Sequence, residues 1–493
     1  MLCLLCSFSA VPIMAITARP KQGVRGPLMA KDNTQAFSFH NPISLSPRFA
    51  ALKDRLVRGR ENALALSWAR LVDALRDEIG HISSLRSDIV PTINFDDITM
   101  PEHAEAFHTE LRTRGVGIIR DVIPRVTAVE WEDEVGEYFN ENPHIKASPP
   151  SDPQLYEVYW SPTQVKARAH PNVLKAQRFA MGAWHSKNLD CPISTNFPIT
   201  YADRLRIRNQ GGGHQSSAHI DGGSVERWEP DGYGTVYEAI LRGDWEGYDP
   251  WESSGRTCVT SDLYRGAGSC SIFRGFQGLL ALSDMPPAAG SVRVCPTLRL
   301  STAYFLLRPF FSPPDVDAGA DSWILDRPQN SILHGALPSY TQTINPTLHP
   351  HLELHSSLVD IPHLEPGDYV IWHPDLIHTV DAPQPESDCS TAMYLPACPL
   401  TQTNALYLCR QRKAFLLGQP GPDFAGGLGE SNYAGRPGVQ DISDAGGDDG
   451  LRAMGLLPFD ADEASSEAER RMLSMANSIL FPDLYNTVRL GVV

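Results

Sequence analysis

The chain of 493 residues carries 58 acidic against 42 Lys and Arg side chains, a formal net charge of −16, with no basic stripe. That balance disfavours nucleic acid and anionic membranes and leaves a small molecule or another protein as partner, while the length allows two or three average domains or one large β core wrapped by helices. Nine cysteines, an odd number in a long chain, argue against a disulfide framework and for a reducing, cytoplasmic setting; the lone Cys3-x-x-Cys6 has no second half for zinc.

Residues 1–35 read as a disordered or targeting N-terminus. The first fifteen are apolar but too short to span a bilayer, and Arg19, Lys21, Arg25 and Lys31 without any acid also fit a mitochondrial targeting segment. Residues 36–145 read as a helical flank. Leu52, Leu56, Leu64, Trp68, Leu71, Leu75 and Ile79 recur at spacings near three and four, which predicts one long amphipathic helix from Pro47 to about Ile82, packed on a sheet. A second helix follows Pro101 to Arg112, then a short strand at Gly115–Arg120 and a helix from Thr127 to Phe139.

Residues 146–400 read as the β core, punctuated by Gly, Pro and Asp, with strands expected at Tyr201–Arg208, Gly278–Leu282, Ser291–Cys295, Asp368–Trp372 and Thr391–Leu395. Within it, Gly211–Gly213 form a turn ahead of His219-Ile220-Asp221, and Gly222-Gly223 follow. Residues i and i+2 of a strand project from one face, so the His219 imidazole and the Asp221 carboxylate can close on one ion. His378, at the end of Gly367–His378, is the candidate third ligand. Two histidines and a carboxylate leave half an octahedron open, the arrangement through which non-haem Fe(II) takes a chelating cosubstrate and dioxygen. Sixteen histidines make His-x-acid pairs common: His103/Glu105, His351/Glu353, His363/Glu365 and His373/Asp375 also occur, and His373 with Asp375, flanking Pro374, are the runner-up ligands. The segment 227–268, with Trp228, Tyr233, Tyr237, Trp245, Tyr248 and Trp251, is an aromatic-rich insertion expected mainly to pack, with substrate contact as the second reading.

Residues 401–493 read as C-terminal helices, Thr401–Leu417 capped by Gly418 and Glu467–Leu480, separated by a Gly- and Asp-rich loop over 418–450. No internal repeat or nucleotide-binding glycine loop is present.

Five stretches carry a family resemblance: Tyr201–Arg208, His219–Trp228, Phe273–Gly278, Leu306–Phe311 and Gly367–His378. Over roughly residues 100–455 the core resembles the Fe(II)/2-oxoglutarate-dependent dioxygenases, specifically a branch of domains of unknown function found in fungi and bacteria. The resemblance implies a mainly β, double-stranded β-helix core (jelly roll, cupin-like) with helical flanks (α+β), in which the His219 strand and the His378 strand face each other across the barrel mouth. It implies Fe(II) held by His219, Asp221 and His378, 2-oxoglutarate as cosubstrate, dioxygen, and oxidation of a small organic substrate with release of succinate and CO2. One departure stands out: the arginine that related oxygenases place about ten residues after the distal histidine is missing, since that region reads Asp388-Cys389-Ser390-Thr391. A guanidinium for the far carboxylate must come from another strand. Arg274, with Gln277 nearby, and Arg208 are equal candidates, and Arg293 is third. Ser390, Asn209 or the Trp372 strand are candidates to support the ligands. The same residues also admit a non-redox cupin-like isomerase or lyase using Zn(II) or Mn(II), or an inactive jelly-roll binding protein. Substrate identity and oligomeric state are not encoded in these patterns.

Overall fold

The computed structural model describes residues 41–149, 152–209, 217–266, 269–287, 291–315, 322–380, 389–424 and 429–485. The expectations for residues 1–35 and for Gly211–Gly213 lie outside them. Two sheets organise a mixed α/β architecture. The major sheet has eight strands in the order Thr92–Asn94, Val116–Arg120, Tyr369–Trp372, Gln277–Ala281, Ser390–Tyr394, Leu205–Arg208, Leu155–Tyr156 and Ala147–Ser148. The minor sheet has five: Gln342–Thr343, His219–Ile220, His378–Val380, Val292–Val294 and Val359–Asp360.

Strand register sorts the major sheet into two faces. Trp372 pairs with Gln277, Ala281 with Ala392, Ala392 with Arg206 and Ser390 with Arg208. Directly paired residues share a face and the period is two, so Gln277, Trp372, Ser390, Arg206 and Arg208 project to one side. The opposite side is covered by the helices Pro101–Arg114 and Pro171–Met181: the Phe107 ring lies where a Cβ on Gly117 would be, at 2.6 Å, and Gln177 reaches the Tyr369 hydroxyl at 3.5 Å. One apolar cluster joins both sheets, with Leu279 and Val370 from the major and Val292, Val294 and Val359 from the minor.

The predicted first helix is two helices, Pro47–Val57 and Glu61–Leu85, divided at Gly59, whose φ of 76° suits only glycine. It packs mainly among helices, with strand residues at its margin: Leu64, Trp68, Leu71 and Leu75 join a cluster with Tyr304–Leu307, and the Trp68 ring stacks at 4.5 Å on Phe311, which starts a short two-stranded sheet. The partner helix, Leu298–Leu307, is buried almost all round, so it has no amphipathic period to read.

The expected 418–450 loop is corrected by a helix at Val439–Ala453, kinked at Gly447. Its glycines serve close packing: a Cβ on Gly446 would meet the Ala169 carbonyl oxygen at 1.9 Å, so only glycine lets this helix lie on Pro162–Ala169. Gly418 takes the left-handed cap after Gln402–Leu417, and Glu467–Leu480 is helical. Glu430 fastens the wrap. Its carboxyl accepts from the backbone N–H groups of Tyr159 (2.6 Å) and Trp160 (3.1 Å) and from the Tyr138 hydroxyl (3.3 Å).

Burial pushes the Glu430 carboxyl up from 4.5 to about 7 despite the two backbone donors, which pull the other way. A carboxyl raised in the folded state adds stability that is complete below its unfolded value and fades as pH climbs through its folded value. Between pH 5 and 8 the protein should therefore lose about 1–3 kcal/mol relative to Glu430→Gln in denaturant titrations. Parallel pH profiles for the two proteins would contradict this.

Candidate metal centre

His219 and His378 are direct cross-strand partners on adjacent antiparallel strands of the minor sheet. This differs from the arrangement implied by the resemblance, in which the two strands face each other across a barrel mouth. Side-by-side pairing sets the imidazole centroids 4.4 Å apart. Asp221 follows immediately after its strand, where Gly222 (φ 74°) and Gly223 (φ 125°) turn the chain through conformations that side chains resist. Arg227 locks that turn. Fully buried, it donates to the Asp221 carbonyl (2.7 Å), the Gly223 carbonyl and Gln342 Oε1 (3.2 Å), tying the loop to the neighbouring strand.

Asp221 Oδ1 lies 3.6 Å from His219 Nε2 and Asp221 Oδ2 lies 3.8 Å from His378 Nε2. All three residues offer ligand atoms within 4.8 Å of one another, close enough to converge on one ion with bonds of about 2 Å. Tautomers favour this. His219 Nδ1–H donates to the Ser217 carbonyl (2.8 Å) and His378 Nδ1–H to the Leu376 carbonyl (3.0 Å); a carbonyl only accepts, so both Nε2 lone pairs are left for a metal. Burial, reinforced by the His219 ring, pushes His378 down to about 4, so it is neutral near pH 7. Burial opposes ionisation of Asp221, but His378, His219, Arg274 and Arg227 together outweigh it and hold the carboxyl at about 2. The donor set is two imidazoles and one carboxylate, which fits a divalent transition metal.

Of the other expected residues, two stand beside the triad: Gln277 Nε2 donates to Asp221 Oδ2 at 2.7 Å, and an Arg274 Nη lies 3.9 Å from the same oxygen. Arg208 is 1% exposed on the major-sheet face that also carries Gln277, paired with Ser390. The Trp372 ring lies 5.4 Å from His378, whereas Asn209 is exposed. Arg293 is corrected. It alternates with the core residues Val292 and Val294, so its side chain leaves by the opposite face to donate to the Leu358 carbonyl (2.7 Å) and approach Asp360 (3.6 Å).

The runner-up pair is fully committed elsewhere. Asp375 forms a buried ion pair with Arg256 and accepts from the Tyr237 hydroxyl at 2.8 Å; burial raises its pKa, yet Arg256 more than reverses this and its carboxyl stays well below the usual range. His373 accepts from the Asp375 N–H (3.0 Å), donates to the Pro250 carbonyl (3.1 Å) and stacks on Trp184 at 5.0 Å, with burial pushing it down to about 3. The insertion 227–268 is largely packing, with Trp228, Tyr237, Tyr248 and Trp251 buried. Among these aromatics Tyr233 alone lines a narrow cleft beside Gly222 and Arg274, together with Arg256, Val259 and Ser261 of the same segment. Sequence reasoning missed Arg227 and Arg256, since nothing in their spacing distinguishes them from surface arginines.

A family model described as Gig2-like matches residues 43–456. The chain belongs to the Gig2-like family. Among its relatives, YbiU of Escherichia coli K12 is 29% identical over 403 residues, covering 78% of this chain and 91% of YbiU. The crystal structure of GlcNAc-inducible gene 2 from Candida albicans superposes with a TM-score of 0.81 at 30% identity, over 92% of this chain and all of that one. A Salmonella typhimurium LT2 structure, provisionally named an oxidoreductase, gives a TM-score of 0.71 at 29% identity over 84% of this chain and 98% of its own. No helix among the described residues is long and apolar enough to cross a membrane.

Two substitutions separate the triad from the runner-up pair. Asp221→Ala should abolish stoichiometric divalent-metal binding, read by elemental analysis, with an unchanged circular dichroism spectrum. Asp375→Ala, which strands the buried Arg256 cation, should cost about 3–5 kcal/mol of stability while the folded fraction still binds metal. Loss of metal in the second variant with retention in the first would reverse the assignment.

Proposed function

We propose that this Gig2-like protein is an enzyme, a non-haem Fe(II) oxygenase that uses 2-oxoglutarate to oxidise a C–H bond of a small organic molecule. The observation that carries the reading is the convergence of two Nε2 atoms and one carboxylate, with no fourth His, Cys or acidic ligand in that cluster among the described residues. A closed structural zinc site would supply four protein ligands; three leave positions for a cosubstrate and dioxygen. The pair of sheets joined by one apolar cluster is consistent with the two halves of a jelly roll, and the provisional name of the Salmonella relative agrees with an oxidoreductase.

The absent distal arginine also finds an answer on this reading. Ser390 occupies the stretch where related oxygenases carry that arginine, and Arg208 is its in-register neighbour on the next strand, projecting from the same face. We assign Arg208 to the far carboxylate of 2-oxoglutarate, delivered from the adjacent strand, with Arg206 two residues earlier on the same face adding positive potential. Bound iron and cosubstrate would supply the oxidant, with succinate and CO2 as coproducts. The protein's own part is to keep His378 neutral, turn both imidazoles correctly, hold Asp221 ionised through Gln277 and the nearby arginines, and back the site with Trp372 and the apolar core.

Anaerobic addition of Fe(II) and 2-oxoglutarate should produce the visible charge-transfer band of the chelate, and oxygen should then yield succinate. His219→Ala and His378→Ala should lose both signals, and Arg208→Gln should raise the 2-oxoglutarate requirement by about tenfold or more. A protein that binds Zn(II) or Mn(II) but gives neither signal is instead a non-redox metalloenzyme.

A further inference from the structure

The Asp221 carboxylate presents its two oxygens in unlike surroundings. Oδ1 lies 3.6 Å from His219 Nε2, whereas Oδ2, 3.8 Å from His378 Nε2, accepts a hydrogen bond from Gln277 Nε2 at 2.7 Å. A carboxylate only accepts, so the Gln277 amide must turn its N–H toward it. The Arg274 guanidinium approaches the same oxygen only to 3.9 Å, too far for a hydrogen bond. Among the described residues, Gln277 is thus the side chain that takes hold of one particular oxygen of the ligand.

The backbone beneath Gln277 is closely confined. Gln277 opens the strand Gln277–Ala281, is 5% exposed, and pairs in register with Trp372, whose ring lies 5.4 Å from that of His378. One residue earlier, Phe276 exchanges both backbone hydrogen bonds with Ala397, each at 3.0 Å. One residue later, a Cβ on Gly278 would meet the Leu395 carbonyl oxygen at 2.1 Å, so the neighbouring chain closes in beside Gln277. The amide therefore starts from a fixed origin, and its bond to Asp221 ties the major sheet to the loop that follows the minor-sheet strand His219–Ile220.

We infer that Gln277 is a positioning residue for the metal ligand: by holding Oδ2 it fixes the rotation of the Asp221 carboxylate and leaves Oδ1 as the oxygen offered to an ion. Carboxylates bind divalent ions through one oxygen or through two, and an untethered one can swing between both modes. With one oxygen held, the chain contributes three donor atoms, the number that leaves room for the chelating cosubstrate and dioxygen of the proposed function. That consequence rests on the oxygenase reading. The orientation of Asp221 does not, since it would shape a Zn(II) or Mn(II) site equally. The role also differs from a direct contact between Gln277 and 2-oxoglutarate: a change at Gln277 acts through Asp221, so it is felt with metal alone, before any cosubstrate is added.

The test is Gln277→Met, which keeps length and bulk but has no N–H, read in the full-length protein with Co(II) alone. Chelator competition should show Co(II) binding weakened by about tenfold to a hundredfold. The visible d–d absorption at saturating Co(II) should also change, while the urea midpoint of the metal-free protein stays close to wild type. Gln277→Asn, whose amide is one carbon too short to span the same gap, should behave alike and covers the case in which the Met variant folds poorly. Co(II) affinity and spectrum matching wild type in a folded variant would overturn the proposal, because the hydrogen bond would then not govern how Asp221 is presented. So would a variant whose metal-free form is destabilised while its saturated Co(II) spectrum is unchanged, the behaviour of a residue that only packs. A missing charge-transfer band in wild type with Fe(II) and 2-oxoglutarate would defeat the oxygenase reading alone, because no Co(II) measurement depends on it.

Discussion

The register between His219–Ile220 and His378–Val380 is the constraint on which the site depends. With His219 directly opposite His378, both imidazoles leave the same face of the minor sheet, and a slip of one residue in either strand would turn one ring to the far side. Two- and three-residue strands cannot hold register through their own ladder bonds. The hold comes from outside. Gln342–Thr343 pairs the His219 strand on its other edge, and Arg227 bonds the loop after it to that same strand through Gln342. On the other side, Val294 pairs with His378 and sits in the main apolar cluster, so a core contact fixes the height of His378.

The insertion 227–268 contributes by a different route. Between Trp372 in the major sheet and His378 in the minor one, the chain crosses from sheet to sheet, and Asp375 lies in that crossing. Arg256 reaches it from the insertion, and the Tyr237 hydroxyl adds a second donor. An ion pair this deeply buried gains little net stability over apolar packing, because desolvation offsets most of the attraction. It does impose geometry: the carboxylate is met only when Arg256 and Tyr237 are both in place, so the insertion has one seat. The same segment supplies Tyr233 and Val259 to the cleft wall. Cleft shape and ligand position thus share one anchor.

Several parts of this architecture were legible in the sequence for physical reasons. The triad could be read because strand periodicity links His219 to Asp221 and glycines mark the turn; Gln277 came with the Phe273–Gly278 stretch. Helices with a polar face, such as Glu467–Leu480, declare themselves by their period. What escaped is instructive. Leu298–Leu307 is buried all round and shows no period, and Val439–Ala453 looked like a loop because its glycines, needed for contact with Ala169, are the same residues that usually mark flexibility. The sheet crossing at Asp375 could not be inferred either. His373-Pro374-Asp375 has ligand-like chemistry, and only the arrival of Arg256 from more than a hundred residues away reveals that its carboxylate is already taken.

Arginine placement shows why function in such a fold resists motif reading. A guanidinium is defined for chemistry by the point in space it reaches, and in a sheet that point can be served from either of two neighbouring strands. Ser390 and Arg208 are in-register neighbours on one face, so a charge absent from one strand can be supplied to the same place from the next. Arg274 and Arg293 make the complementary case. Both lie at or near major or minor strands, yet Arg293 alternates outward to Asp360 while Arg274, in the turn before Gln277, is drawn inward to within 3.9 Å of Asp221. Strand parity and the position of a turn decide which guanidinium approaches Asp221 and which is carried to Asp360 on the far face.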